Sequence, residues 1–303
     1  MRVDVCICTF RRPSVAATLR SIYEQALPQD VEMRVIVVDN DTSPSSRTRV
    51  WRAADMAERS VRYIHRAGQN ISVARNAALE SSRADLIAFL DDDETAPPNW
   101  IATLLETRQR TGADVVLGPV VSTYAEAAPG WMQRTSPHAT NPVEVEGEIR
   151  TGYTCNVLFD RSAAAFGDLR FDPALGRSGG EDTRFFSQAH ANGARFAFAP
   201  DAPVFEPVPE DRARLSWLAR RRFRMGQTHA ETLRARAGFS PLREIAVAAA
   251  KATYCGASAM LALPSPTRRN IALLRGALHV GVVAALVGAR SLTLYGDTER
   301  PAP

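Results

Sequence analysis

Asp91-Asp92-Asp93 sets three carboxylates in a row directly after an apolar run, Leu86-Ile87-Ala88-Phe89-Leu90. Adjacent carboxylates repel, and each raises the cost of ionising the next. Three of them at the end of a buried strand call for a compensating cation. Mg²⁺ and similar hard ions take one or two protein carboxylates and complete their shell with water and phosphate oxygens. The triplet therefore suggests a divalent metal held against a phosphorylated substrate. Taken alone it is equally an acidic turn, because Asp favours turns. Two other acidic groups stand in comparable places: Asp39-Asn40-Asp41 after an apolar run at 33–38, and Glu181-Asp182 after Gly179-Gly180. The basic residues also cluster, as Arg220-Arg221-Arg222 with Arg224 and as Arg268-Arg269. Such clusters suit phosphates or anionic lipid heads, although a basic helix face in isolation is more often merely solvated.

The elements that position these groups can be read from periodicity. Val3, Val5 and Ile7 alternate with less apolar neighbours and predict a first strand. Val15, Leu19, Ile22, Tyr23 and Ala26 follow at helical spacing, with Pro13 at the entrance. Further strands are expected at 33–38, 61–64, 85–90 and 113–117, and helices at 72–82 and 97–111. Strands alternating with helices indicate a mostly parallel α/β sheet. In open sheets of this kind ligands sit beyond the carboxyl ends of the strands. The first strand delivers Thr9-Phe10-Arg11-Arg12 there, the second Asp39-Asn40-Asp41, and the fourth the acid triplet, so polar groups converge on one edge.

Beyond residue 124 the chain reads as an irregular, Pro-rich stretch to 150 containing Trp131, the kind of long loop that usually serves function. A strand is expected at 151–159, a helix opening at Gly180, and a short strand at 194–198. After about residue 212 only helices are expected. Two mostly apolar stretches, 244–263 and 270–289, are joined by Pro264-Ser265-Pro266. Each approaches the length that spans a bilayer. Lys251, Arg275 and His279 interrupt them, and intramembrane charge is costly, so a hairpin lying on a membrane surface is expected rather than two spans. The domain expectation is a catalytic region at 1–238 and a helical, membrane-associated region at 239–303.

Composition limits the alternatives. Hydrophobic residues make up 45% and charged residues 23%, a globular balance that excludes extensive disorder. A net charge of +4 gives no reason to expect a nucleic-acid partner. Cys6, Cys8, Cys155 and Cys255 fit neither a zinc spacing nor a secreted disulfide framework. The chain runs straight into a strand without a signal peptide's apolar core, so the expected location is the cytosol or the cytoplasmic face of the inner membrane.

Together these blocks resemble the family 2 glycosyltransferases of the GT-A fold, over roughly residues 3–228. The resemblance is carried by Val5-Cys6-Ile7-Cys8-Thr9-Phe10, Val37-Val38-Asp39-Asn40, Asn70-Ile71-Ser72-Val73-Ala74-Arg75-Asn76, Phe89-Leu90-Asp91-Asp92-Asp93-Glu94 and Gly180-Glu181-Asp182. Arg150-Thr151-Gly152-Tyr153-Thr154-Cys155-Asn156 and Arg221-Arg222-Phe223-Arg224-Met225-Gly226-Gln227 are similar to the glucosyltransferases of succinoglycan-type exopolysaccharide assembly. The resemblance implies a Rossmann-like, mostly parallel mixed sheet with a C-terminal helical extension. It implies an inverting transfer from a nucleotide-sugar donor, with glucose from UDP-glucose expected, onto a lipid-linked glycan, and Mg²⁺ or Mn²⁺ as cofactor. Asp182 matches the catalytic base and Asp93 the metal ligand. Asp39, Thr9, Phe10, Arg11, Arg75, Asp91 and Asp92 match the nucleotide-sugar pocket, and Arg221, Arg222 and Arg224 lie where relatives place residues near the diphosphate or acceptor. Glu181, Trp131 and Asn156 are expected to support the acceptor side. Many relatives carry a metal-ligating histidine in the segment matching Val204-Phe205-Glu206; here Glu206 is the candidate substitute. Two other readings remain open on the residues. Asp91-Asp92-Asp93-Glu94-Thr95 also fits the nucleophile loop of haloacid-dehalogenase phosphotransferases, with Asp91 attacking phosphorus, and a non-catalytic membrane scaffold could keep the same fold.

Overall fold

A computed structural model describes residues 1–234, 238–290 and 292. In chain order the elements are β1 (Arg2–Thr9), α1 (Val15–Tyr23), β2 (Glu32–Asp39), α2 (Arg47–Met56), β3 (Arg62–His65), α3 (Ile71–Ser81), β4 (Leu86–Asp91), α4 (Trp100–Thr111), β5 (Val115–Leu117), β6 (Val120–Thr123), α5 (Gly130–Thr135), β7 (Glu144–Val145), β8 (Glu148–Ile149), β9 (Asn156–Asp160), α6 (Glu181–Ala191), β10 (Phe196–Phe198), β11 (Val204–Pro207), α7 (Leu215–Arg234), α8 (Pro241–Leu261) and α9 (Pro266–Leu286). They form two compact units. One comprises 1–122 with 139–207; the other comprises 123–138 with the chain from 208 onward. The second unit thus includes 123–138 and α7, which the sequence reading had grouped with the catalytic region.

Among the described residues the first unit is built on a seven-stranded sheet of order β10-β5-β9-β4-β1-β2-β3. Its strands run parallel except β9, which is antiparallel to both β4 and β5. Successive strand side chains point to opposite faces, and both faces are covered, which is why β2 and β4 read as continuous apolar runs. On one face Val3, Val5, Val37 and Leu90 pack with Val15, Leu19, Trp100 and Leu104. On the other Cys6, Ile36, Phe89 and Phe159 pack with Ala74, Ala78, Phe185 and Phe186. Register then does the functional work. Thr9 pairs with Asp39 across β1 and β2, and Cys8 pairs with Asp91 across β1 and β4, so three carboxyl ends finish side by side.

Several local expectations need correction. The strand expected at 151–159 begins only at Asn156. The helix expected from residue 97 begins at Trp100, after Pro97 and Pro98 have shaped the turn. The stretch at 124–150 holds α5 and the β7–β8 hairpin, and α2 occupies a gap left between two predicted strands.

In the second unit α7 packs on α9, and α8 on α9. The α7–α9 approach depends on missing side chains: a Cβ on Gly226 would strike the Leu278 carbonyl, and one on Gly281 the Phe223 carbonyl. Both C-terminal helices start earlier than periodicity suggested, because Pro241 and Pro266 take first-turn positions that need no N–H partner. Among the described residues α9 is the one helix long and apolar enough to cross a membrane, with a mean hydropathy of 1.3 over its best window. α8 is of equal length and leaves Leu242, Tyr254, Met260 and Leu261 exposed.

Candidate active site

The site is built from the carboxyl ends of β1, β2 and β4 and from the start of α6. Asp92 and Asp93 share one cation, Arg12. Its Nε lies 3.5 Å from Asp92 Oδ1, and its guanidinium donates to Asp93 Oδ2. Burial, opposed by Arg12 and reinforced by the neighbouring Asp93, pushes the Asp92 carboxyl up to about 7. Asp91 is likewise raised, first by burial. Beneath the triplet Glu94, 1% exposed, accepts the Asp91 N–H at 3.0 Å and so fixes the turn that presents the acids. Burial, reinforced by the charge of Asp91, raises the Glu94 carboxyl well above the ordinary carboxylate range.

Arg75 links this triplet to the acids of α6. Its guanidinium is nearly enclosed, donates to Glu181 Oε1, lies 4.0 Å from Asp91 Oδ1, and sits 5.6 Å from the Phe171 ring centroid. Gly180 makes the approach possible: with φ at 91° it caps α6 in a left-handed conformation that a Cβ would strain. The first turn of α6 then holds Glu181 and Asp182 at the positive end of the helix dipole. Glu181 keeps its second oxygen, Oε2, buried without a partner. Asp182 accepts from the Thr183 N–H at 2.6 Å. Burial and the adjacent Glu181 charge, set against Arg75, push its carboxyl up to about 6. A carboxyl poised there is ionised at neutral pH yet basic enough to take a proton.

The remaining expected residues fall into distinct settings. Asp39 has no exposed surface. Its Oδ2 accepts from Tyr63 Oη at 2.6 Å and from the Ser46 N–H at 2.8 Å, and its Oδ1 from the Asp41 N–H at 3.1 Å. Thr9, 1% exposed, lies alongside it in register. Arg11 stands in the left-handed region with φ at 57°, pairs with Asp41 at 2.9 Å and covers the exposed Phe10 ring. Asn156 was expected to support the acceptor side but is fully enclosed. It accepts from Trp100 Nε1 at 2.8 Å and donates to the carbonyls of Pro119 and Ala202, so its support is a strut between strands and loops. Trp131, Arg222 and Arg224 belong to the second unit, where Trp131 is buried with Met132, Leu218 and Leu274.

For a metal, no group of three His, Cys, Asp or Glu side chains is arranged to hold an ion among the described residues. The donor set is instead two adjacent carboxylates already sharing one cationic group, which fits an ion that takes one or two carboxylates and fills its shell from water and phosphate. Glu206 is brought towards the triplet because Thr95 and Phe205 exchange backbone hydrogen bonds of 3.0 and 2.8 Å. Its charge bears on Glu94. Arg12 and Glu94 were not singled out from sequence. Arg12 was visible only as the end of the Thr9–Arg12 segment, and Glu94 only as the residue after the triplet.

Comparison with known proteins agrees with this geometry. Residues 4–166 match Glycosyl transferase family 2. The chain is 48% identical over 300 residues to the succinoglycan biosynthesis protein ExoM of Rhizobium meliloti, covering 99% of this chain and 97% of that protein. It is 27% identical over 254 residues to the glucosyl-dolichyl phosphate glucuronosyltransferase of Haloferax volcanii, covering 75% of each. Among solved structures it resembles the mannosyltransferase PcManGT from Pyrobaculum calidifontis, in complex with GDP-Man and Mn²⁺, with a TM-score of 0.66 at 20% identity over 94% of this chain and 86% of that one. The chain therefore belongs to glycosyl transferase family 2, and it is a glycosyltransferase with the α/β GT-A fold and additional C-terminal helices.

Proposed function

We propose that this glycosyltransferase moves glucose from UDP-glucose, with inversion, onto a lipid-linked oligosaccharide during assembly of a succinoglycan-type exopolysaccharide. The observation that carries the chemistry is the Arg75 bridge, which draws Asp91 of the triplet and Glu181, beside Asp182, into one charged network. The succinoglycan assignment is supported by the 48% identity to a succinoglycan biosynthesis protein, and the glucose donor by the sequence resemblance alone. Membership of the family removes the phosphotransferase and scaffold readings.

In the proposed reaction an acceptor hydroxyl attacks the anomeric carbon from the face opposite the nucleotide. Asp182 takes the hydroxyl proton as the new C–O bond forms. The bond from the anomeric carbon to the diphosphate oxygen breaks, and that oxygen keeps the electron pair. Asp93, with Asp92, would hold a Mg²⁺ or Mn²⁺ ion, which when bound supplies Lewis-acid stabilisation of the charge on the leaving diphosphate. Arg75 keeps Glu181 and Asp91 from repelling one another and holds the first turn of α6 in place. Asp39 recognises the base by exchanging its Tyr63 hydrogen bond for one from the ring N–H. The exposed apolar side chains of α8, together with the length and apolarity of α9, support residence at the cytoplasmic membrane surface.

UDP release from full-length enzyme, given UDP-glucose and a lipid-linked acceptor with and without Mn²⁺, tests this. Metal-dependent release that requires the acceptor is the expected result. Equal turnover with GDP- or TDP-glucose, or full turnover in chelator, would overturn the donor or the metal assignment respectively.

A further inference from the structure

Helix α3 does more than supply Arg75: it also grips the chain that leads to Asp182. Residues 171–180 form neither helix nor strand, yet they fix where α6 begins. Such a segment keeps one position only if its backbone groups are tied elsewhere. Here α3 supplies the ties, mostly with side chains. Asn76 donates to the Phe171 carbonyl at 2.8 Å and accepts the Phe171 N–H at 2.9 Å. Ser72 Oγ donates to the Asp172 carbonyl at 2.8 Å, Asn70 Nδ2 to the Pro173 carbonyl at 2.9 Å, and the Ile71 N–H to the Gly176 carbonyl at 3.1 Å. Arg75 completes the clasp by pairing with Glu181 and lying over the Phe171 ring. The approach is close: a Cβ on Gly176 would strike the Asn70 amide.

Asn70 is the joint of this clasp. It caps α3, its Oδ1 accepting the Val73 N–H at 3.2 Å. Its own N–H donates at 2.5 Å to Oδ1 of Asn40, which is 4% exposed and follows Asp39 directly in the chain. Asn40 is held in turn by donating to the Arg66 carbonyl at 2.7 Å. One side chain and one backbone N–H therefore join the end of β2, the start of α3 and the segment that runs into Gly179-Gly180-Glu181-Asp182. The bond from Asn70 to Pro173 lies at an exposed position, where a single neutral hydrogen bond adds little to folding. Its leverage on geometry is greater, because misplacing a reacting group by about 1 Å costs about 10²-fold in rate.

We propose that Asn70 is a positioning residue for the catalytic base: its side-chain amide holds the 171–180 segment so that the first turn of α6 keeps Asp182 at its working position. The inference rests on Asp182 being the base, as in the reaction above.

Asn70→Asp in the full-length enzyme is the test variant, because aspartate keeps the N-cap acceptor for Val73 and loses only the amide donor to Pro173. Hydrogen exchange reads the segment without any substrate. Amides of 176–183 should exchange about tenfold faster than in the wild type, while those of 73–81 keep their protection. Transfer is then read as UDP release with UDP-glucose, Mn²⁺ and the lipid-linked acceptor. There kcat should fall about 10- to 100-fold, with KM for UDP-glucose and the affinity for UDP unchanged within about twofold. In an Asp182→Asn background the same substitution should cost nothing further, because residues acting through one group are not additive. Asn70→Ser, which also caps but is too short to reach Pro173, should reproduce each result. Unchanged exchange at 176–183, unchanged kcat, or equal losses of kcat and UDP affinity would each overturn the proposal, as would a further loss of turnover in the Asp182→Asn background. Full turnover in Asp182→Asn alone would mark a different failure, that of the base assignment itself, and would take this role for Asn70 with it.

Discussion

The two units treat charge in opposite ways. In the first unit two arginines are set among the acids of the site: Arg12 serves Asp92 and Asp93, and Arg75 serves Glu181 and Asp91. In the second unit the arginines around Trp217 form no ion pair with a carboxylate among the described residues; Arg212 and Arg221 lie over the indole, and Arg222 donates to the Pro137 carbonyl. A balanced cluster is held rigidly, and removing one member leaves its partner stranded. In a cluster of like charges each member adds to the repulsion, so removing one relieves it. The compensated arrangement suits a reaction centre, where geometry must be fixed in advance.

The largest test of the balanced cluster is Asp182→Asn. It keeps the shape of the side chain and removes the basic oxygen, so turnover should fall about 10²- to 10⁴-fold, the usual contribution of a general base. Nucleotide binding, followed by UDP-induced thermal stabilisation, should persist. The wild-type pH profile sharpens the assignment. Asp182 works only when ionised, and its carboxyl is raised to about 6, so kcat/KM should decline as pH falls through about 6. A profile flat to pH 5 would remove Asp182 from the role.

These residues differ in how far sequence alone exposed them. The strands carrying Asp39 and Asp91 were legible because burial on both faces leaves an uninterrupted apolar signature, and the strand carrying Thr9 because Val3, Val5 and Ile7 alternate with less apolar neighbours. Asp182 was legible because a glycine pair followed by acids marks a helix start. The antiparallel strand β9 was only half legible: its apolar run showed, but the direction and exact start of a strand depend on partners distant in the chain, here β4 and β5. Arg12 was missed for a similar reason. An arginine after a strand looks like solvated surface until the register of β1 against β4 brings Asp92 and Asp93 to it. Asn156 and Trp131 looked like ligand contacts because both residue types bind sugars, and only the fold reveals that each is enclosed.

The next effect is on stability. Arg75→Met should strand the Glu181 carboxylate, 5% exposed, and cost about 3–5 kcal/mol, the range for breaking a buried pair. Denaturant unfolding measures it. Adding Glu181→Gln in the same chain should restore most of the loss, because the uncompensated charge is then gone. Failure of that rescue would mean that Arg75 stabilises through its contact with Phe171 rather than through charge.

A smaller effect is expected at Arg12. Where a divalent ion is to sit with Asp93, the guanidinium must first give way, so Arg12→Gln should tighten Mn²⁺ binding in the absence of nucleotide. A tenfold gain corresponds to about 1.4 kcal/mol, and paramagnetic titration of Mn²⁺ reads it directly. Asp93→Asn should abolish the binding in either background. Unchanged or weaker Mn²⁺ affinity in Arg12→Gln would show that Arg12 is no competitor for that position.

The smallest effect is the counterpart in the unbalanced cluster. Arg222→Gln removes a cation that burial and Arg221 already disfavour, and it forfeits only the weak 3.4 Å bond to Pro137. Unfolding stability should change by no more than about 0.5 kcal/mol, the range for substitutions that disturb no buried partner. Anions offer a finer measure. Phosphate at constant ionic strength should stabilise the wild type more than chloride does, because bound phosphate offsets the arginine cluster, and Arg222→Gln should narrow that difference. A stability loss as large as that of Arg75→Met would mean that the second cluster is also internally compensated, and the contrast between the units would fail.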